Sequence, residues 1–288
     1  MRNRAASVGM RRLLAHARYE VLPTASCEDT VLEHLAPGFT VTITASPSKG
    51  LGATFELAER LAGQGYDVVP HVAARMVSGR SELADICARL TSFNVRTIFV
   101  PAGDADPPAG DYHASLDLLE DLSELGRPFP NVGITGYPES HPSITDDLTV
   151  QAMWDKRRYA NQIVSNLTFD PATLLTWLSR MRARGITMPL LVGVPGPVER
   201  TKLLMMATKI GVGESTRFLA KHRRTLTRLA APGGFSGERF LERTAGALNA
   251  PHALVAGLHV FTFNQIAETE RWRQDTLERL GGPLETIS

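Results

Sequence analysis

The chain is poor in cysteine. Cys27 and Cys87 are the only two, they lie far apart, and they form no CxxC. That excludes a disulfide framework and a cysteine-rich zinc site, and it fits a reducing compartment. Charge excess is missing as well: 31 Lys+Arg against 30 Asp+Glu leave a formal net charge of +1. No basic field recommends nucleic acid as a partner, and no acidic excess marks a solvating tail. No uninterrupted apolar run is long enough to cross a bilayer, so no membrane partner is expected. Several chemistries lack their signatures too. There is no Gly-x-Ser-x-Gly nucleophile segment and no His-Glu-x-x-His or other ligand spacing, so no metal is expected. The nearest thing to a dinucleotide fingerprint, Gly50-Leu51-Gly52-Ala53-Thr54-Phe55, lacks the third glycine.

The first eighteen residues carry Arg2, Arg4, Arg11, Arg12 and Arg18 and no acid. A secretory signal would continue into an apolar core, but Leu13 and Leu14 are soon followed by His16 and Arg18. The reading is a flexible basic N-terminus (1–17) on a cytoplasmic protein, with an organelle address as the lesser alternative.

What is present is a regular globular chain of 288 residues, 43% hydrophobic and 21% charged. Short β-branched runs alternate with amphipathic stretches, the pattern of βα units around a parallel sheet. Strands are expected at 18–22, 40–45, 67–71, 97–101, 131–137, 162–166, 189–194 and 258–263. Helices are expected at 51–62, 82–90, 112–125, 147–159, 171–184, 198–210 and 266–280. At most a brief helix follows Pro23. The interval 211–257 is expected to hold two extra helices around a turn at 232–237. Eight strands in this alternation predict an α/β fold, a single (β/α)8 TIM barrel domain over 1–288 with extra helices between strands 7 and 8. A doubly wound open sheet is the alternative, weakened by the absent glycine fingerprint. The chain ends soon after the last helix, and no regulatory domain is expected to follow.

A barrel keeps its chemistry at the C-terminal ends of its strands. Those ends carry Glu20, His71, Gly103-Asp104, Tyr137-Pro138-Glu139-Ser140-His141, Asn166, Pro195-Gly196-Pro197 and the stretch from Phe261 to Asn264. Carboxylates, imidazoles, an amide and aromatic rings suit general acid–base work on a flat organic ligand. Each residue also has a plainer use: an ion-paired Glu20, a turn-capping Asp104, a core His71.

Taken in order, these residues resemble the methylenetetrahydrofolate reductase family. Tyr19-Glu20-Val21-Leu22-Pro23 is similar to that family's first-strand segment, and Pro70-His71 to its Pro-His. Gly103-Asp104 with Pro107-Pro108 is similar to its Arg-Gly-Asp and proline loop. Gly136-Tyr137-Pro138-Glu139-Ser140-His141-Pro142 is the most specific match. Asn166 stands for a Gln, Gly193 and Pro195–Pro197 for a Gly-Ile-x-Pro turn, and Leu258–Asn264 for a His-Phe-Tyr-Thr-Leu-Asn segment.

The resemblance implies reduction of 5,10-methylenetetrahydrofolate to 5-methyltetrahydrofolate with NADH or NADPH, a step of one-carbon metabolism that serves methionine biosynthesis. It implies Glu20 as the catalytic acid, protonating the nitrogen that departs when the five-membered ring opens; apolar Val21 and Leu22 would favour its proton-donating form. Asp104 and Asn166 would orient the pterin, and Phe261 and Phe263 would flank the ligand's rings, although alternation along a strand sends one of any adjacent pair to the core. His71, Tyr137 and His141 would bind the cofactor. The departures fall mainly on flavin contacts. Ala102 replaces the arginine that helps hold the flavin phosphates, and Trp154–Ala160 replaces a Lys- and Gly-containing segment. The expectation is folate binding without a flavin requirement, hydride passing directly from the nicotinamide. Two alternatives are a non-catalytic folate-binding or sensing barrel and a flavin-dependent oxidoreductase acting on another substrate. Ser48-Lys49-Gly50 and the basic run Lys221–Arg224 are read as solvated surface rather than phosphate sites.

Overall fold

The computed structural model describes residues 4–141, 144–198 and 235–282. Eight strands alternate with helices: β1 Ala17–Val21, β2 Thr40–Ile43, β3 Asp67–Pro70, β4 Thr97–Phe99, β5 Asn131–Gly136, β6 Gln162–Ser165, β7 Leu190–Pro195 and β8 Val255–Phe261. The helices are α1 Arg4–Ala15, α2 Cys27–His34, α3 Gly50–Gly63, α4 Arg80–Ser92, α5 Ser115–Glu124, α6 Asp146–Lys156, α7 Pro171–Ala183, α8 Gly237–Leu248 and α9 Ile266–Arg279. The strands form one parallel sheet in the order β3-β2-β1-β8-β7-β6-β5-β4, the topology of a (β/α)8 barrel. Among the described residues no helix is long and apolar enough to cross a membrane. The chain divides into two compact units, one of residues 18–135 and 152–164, the other of 1–17, 136–151 and 165–288.

In the first unit β2 lies between β1 and β3, with Glu20 beside Thr42 and Ile43 beside Pro70. β3 meets β4 just past its own end, through a His71–Phe99 bridge and a Val72 N–H to Phe99 carbonyl bond of 2.8 Å. The helices bury one stripe each, as 3.6-residue periodicity requires. α3 turns Leu51, Phe55, Ala58 and Leu61 inward, and α4 turns Leu83, Ile86, Cys87 and Leu90. Alternation along β1 buries Tyr19 and Val21 completely and sends Arg18 and Glu20 to the other face. There the Arg18 guanidinium donates to Gln162 Oε1 at 2.8 Å. Both cysteines are buried free thiols, pushed up to about 11 chiefly by desolvation, so neither is a nucleophile near neutrality.

In the second unit β7 and β8 pair from Leu190–Val255 to Pro195–Phe261, with one register shift between Leu190 and Leu191. β8 therefore starts earlier than the sequence pattern suggests, and it ends at Phe261. The flexible N-terminus expected from the basic sequence is corrected here: Arg4–Ala15 is a helix, with Met10, Leu13 and Leu14 fully buried. It packs on α8, and Gly9 makes the approach feasible, since a Cβ there would lie 2.4 Å from the Ala245 carbonyl oxygen. Arg12 is drawn in as well, donating to the Val255 carbonyl at 2.7 Å and to Asn249 Oδ1 at 3.2 Å. The partner face (Phe240, Leu241, Ala245, Leu248) lies more than two hundred positions along the chain, so nothing local announces it. Leu13→Ala is accordingly expected to cost about 2–5 kcal/mol in urea unfolding; an unchanged midpoint would mean that α1 is not docked in solution.

α8 is one of the two helices expected within 211–257. The other, the helix expected at 198–210 and the basic run Lys221–Arg224 lie outside the described residues, apart from Val198 itself.

Candidate active site

Glu20 occupies the penultimate position of β1. Its Oε2 lies 3.7 Å from Nε2 of His71, the first residue after β3. The two side chains are only 15% and 9% exposed. Phe99 holds the imidazole edge-on, with ring centroids 4.7 Å apart. The apolar neighbours expected from the sequence are not the ones that face Glu20. Val21 points to the opposite face of the strand, and Leu22 is exposed. A histidine at the end of another strand borders the carboxyl instead. Thr42, paired with Glu20 on β2, is 2% exposed, and its hydroxyl has no hydrogen-bond partner among the described residues. A buried hydroxyl without a partner is costly, so Thr42 is a candidate site residue beside Glu20. Sequence reasoning missed it, because a threonine in a β-branched strand looks like ordinary sheet filling.

Asp104 follows Gly103, whose positive φ of 87° and contact with Ala73 require glycine: a Cβ would lie 2.9 Å from that of Ala73. Asp104 is exposed, and among the described residues its carboxylate makes no hydrogen bond, so it is not the cap of its own turn. The loop is pinned by Arg75 instead, which donates from Nε to the Ala105 carbonyl at 2.7 Å and from its guanidinium to Asp106 at 3.2 Å.

In the second unit Tyr137 directly follows β5, and its ring meets His141 edge to face, with centroids 4.8 Å apart. His141 Nδ1 accepts the backbone N–H of Ile144 at 3.1 Å. Glu139, between them, accepts the backbone N–H groups of Phe169 and Asp170, the latter at 2.7 Å. It ties the loop after β5 to the start of α7, where Asp170 is the N-cap. That structural role was invisible in the sequence because its partners lie some thirty residues away. Asn166 follows β6. Its side-chain oxygen accepts its neighbour's N–H, that of Leu167, at 2.8 Å, leaving the amide nitrogen as the group still able to meet a ligand.

Phe261 ends β8, half-buried, with its ring 4.8 Å from that of His259, which is 1% exposed. Phe263 departs from the strand on which it was expected. It lies beyond β8 with a positive φ of 51°, and it is 9% exposed against Leu167. Phe169, Val198, Phe235 and Phe261 pack around that pair. Phe263 is therefore core, and Phe261 is the better candidate for a ligand contact.

Each predicted residue thus stands at or just past the C-terminal end of a parallel strand, the layout of a barrel enzyme's active face. The comparisons give that class a family. Residues 30–215, more than half of the chain, match the methylenetetrahydrofolate reductase family model, and the chain belongs to that family. It is 28% identical over 102 residues to Methylenetetrahydrofolate reductase 2 of Saccharomyces cerevisiae (33% of this chain, 17% of that protein). It is 24% identical over 133 residues to a Probable methylenetetrahydrofolate reductase (NADH) of Oryza sativa subsp. japonica (39% of this chain, 22% of that protein). The matches thus span about a fifth of those relatives. Among solved structures, an uncharacterized Clostridium thermocellum protein that binds two copies of 5-methyl-5,6,7,8-tetrahydrofolic acid shares the fold. Its TM-score is 0.60 at 10% identity, over 89% of this chain and 94% of that one.

Proposed function

We propose that this protein reduces 5,10-methylenetetrahydrofolate to 5-methyltetrahydrofolate with NADH or NADPH. The observation that carries the reading is the sheltered Glu20–His71 pair at 3.7 Å, set at strand ends in a member of this family. Ring opening needs a proton on the departing nitrogen, and Glu20 supplies it; the iminium carbon then takes hydride from the nicotinamide. His71 borders the donor at 3.7 Å. Asp104, with its uncommitted carboxylate, accepts the pterin's N–H groups, and the Asn166 amide nitrogen donates to the pterin edge. Phe261 packs on a ring of the ligand, and Tyr137 and His141 border the nicotinamide.

The residues present do not fit a flavin pyrophosphate. Ala102 offers no cation, and the guanidinium that reaches this loop, that of Arg75, is spent on Ala105 and Asp106. No step is therefore routed through FAD. The name of the rice relative supports NADH as the reductant. The folate-bound Clostridium structure supports a second reading, a folate binder without catalysis, against which Glu20 stands because a pure binder needs no acid there.

The test is anaerobic NADH oxidation by the colourless purified protein with methylenetetrahydrofolate and no added flavin, with chromatography of the folate product. 5-Methyltetrahydrofolate is expected. No product, even with NADPH and FAD supplied, would overturn the reductase reading in favour of the binder. Stoichiometric FAD essential for activity would overturn direct transfer alone.

A further inference from the structure

Tyr137 also lines a cavity of about 480 Å³ between the start of α6 and one face of α7. That volume lies within the range of roughly 300–1,000 Å³ usual for small-molecule clefts. One wall carries Asp147; the other carries Thr173, Trp177, Arg180 and Arg184. Among the described residues the guanidiniums of Arg180 and Arg184 have no carboxylate partner and donate no side-chain hydrogen bond. Like charges four apart on a helix repel, and the carbonyls at this end of α7 do not call for them. The backbone N–H groups of Arg184, Gly185 and Ile186 already meet the carbonyls of Arg180, Arg182 and Met181 at 3.0–3.2 Å. Two uncommitted cations beside an indole, facing an acid they do not pair with, form a wall without an internal purpose.

We propose that this cavity holds the adenosine diphosphate half of the nicotinamide dinucleotide. Trp177 packs on the adenine, Arg180 and Arg184 take the phosphates, and Asp147 accepts the ribose hydroxyls. Tyr137 stands where the nicotinamide half leaves the cavity. The inference rests on the dinucleotide use proposed above. A flat ring with flanking anions also describes the aminobenzoyl-glutamate end of a folate. That end offers one amide N–H where the ribose offers two hydroxyls, so the acid in the wall favours the nucleotide.

Binding of ADP-ribose, followed by calorimetry and by quenching of Trp177 fluorescence, tests the site without turnover. Arg180→Glu/Arg184→Glu changes only exposed positions. It is expected to weaken ADP-ribose roughly tenfold or more and to raise the NADH KM comparably, while folate KM and kcat stay near wild type. Trp177→Phe is expected to retain most binding, and Trp177→Ala to lose it. Wild-type ADP-ribose affinity in the double variant would overturn the site, as would a rise in folate KM with NADH unaffected. ADP-ribose binding lost in the double variant of a protein with no reductase activity would uphold the site and sink the reductase reading alone.

Discussion

Glu20→Gln is expected to lower turnover by about 10²–10⁴-fold, the usual contribution of a positioned general acid, while folate affinity changes no more than about threefold. Glutamine has nearly the shape of the carboxylic acid and can still hydrogen-bond, but it has no acidic proton to give the departing nitrogen. Removing a group that acts only in the transition state lowers kcat and kcat/KM together and leaves binding alone. Single-turnover measurement of nicotinamide oxidation, with folate binding followed separately, distinguishes this from a structural ion pair. If Glu20 served only to pair with His71, stability would fall and the rate per folded molecule would not. Turnover within twofold of wild type would remove Glu20 from the mechanism.

Gly193→Ala is expected to be the most damaging small substitution in the second unit, costing about 3 kcal/mol or preventing folding. A Cβ at Gly193 would lie 2.1 Å from the Ser165 carbonyl oxygen, 2.7 Å from that of Asn166 and 2.9 Å from the Phe261 ring. Two of these are backbone atoms and have nowhere to go. The contact is also hydrogen-bonded: the Gly193 N–H donates to Ser165 Oγ at 2.7 Å, and the Thr168 N–H donates to the Gly193 carbonyl at 3.0 Å. Glycine there lets β7 approach the chain that positions Asn166. Gly246→Ala supplies the contrast. It lies on the exposed face of α8 with nothing within 4 Å of a Cβ, so alanine is expected to stabilise by about 0.5–1 kcal/mol through helix propensity. Chemical denaturation of both variants checks the pair; equal effects would mean that the Gly193 contacts relax freely.

Much of the strand-end face was legible in the sequence because it obeys local rules. β-branched runs bounded by helical stretches reveal the strands, a barrel places its chemistry at their C-terminal ends, and so Glu20, Asp104, Tyr137 and Asn166 could be picked out before any coordinates. Phe263 escaped because one positive φ takes it off the strand and into the core, and a phenylalanine shows no sign of that backbone state. The N-terminus escaped for the opposite reason. Its arginines look like a solvated tail, yet the stripe of Met10, Leu13 and Leu14 is apolar and needed only a partner face, which α8 provides.

By itself the sequence determined the class of fold, the order of its elements and the chemical types at each strand end, since periodicity and turn residues act over a few positions. Only the tertiary structure decided which groups meet. It set His71 rather than Val21 beside Glu20, gave Glu139 to the start of α7 and left Arg180 and Arg184 facing a cavity. Those outcomes depend on contacts between residues some tens of positions apart, whose distances arise only when the chain is folded.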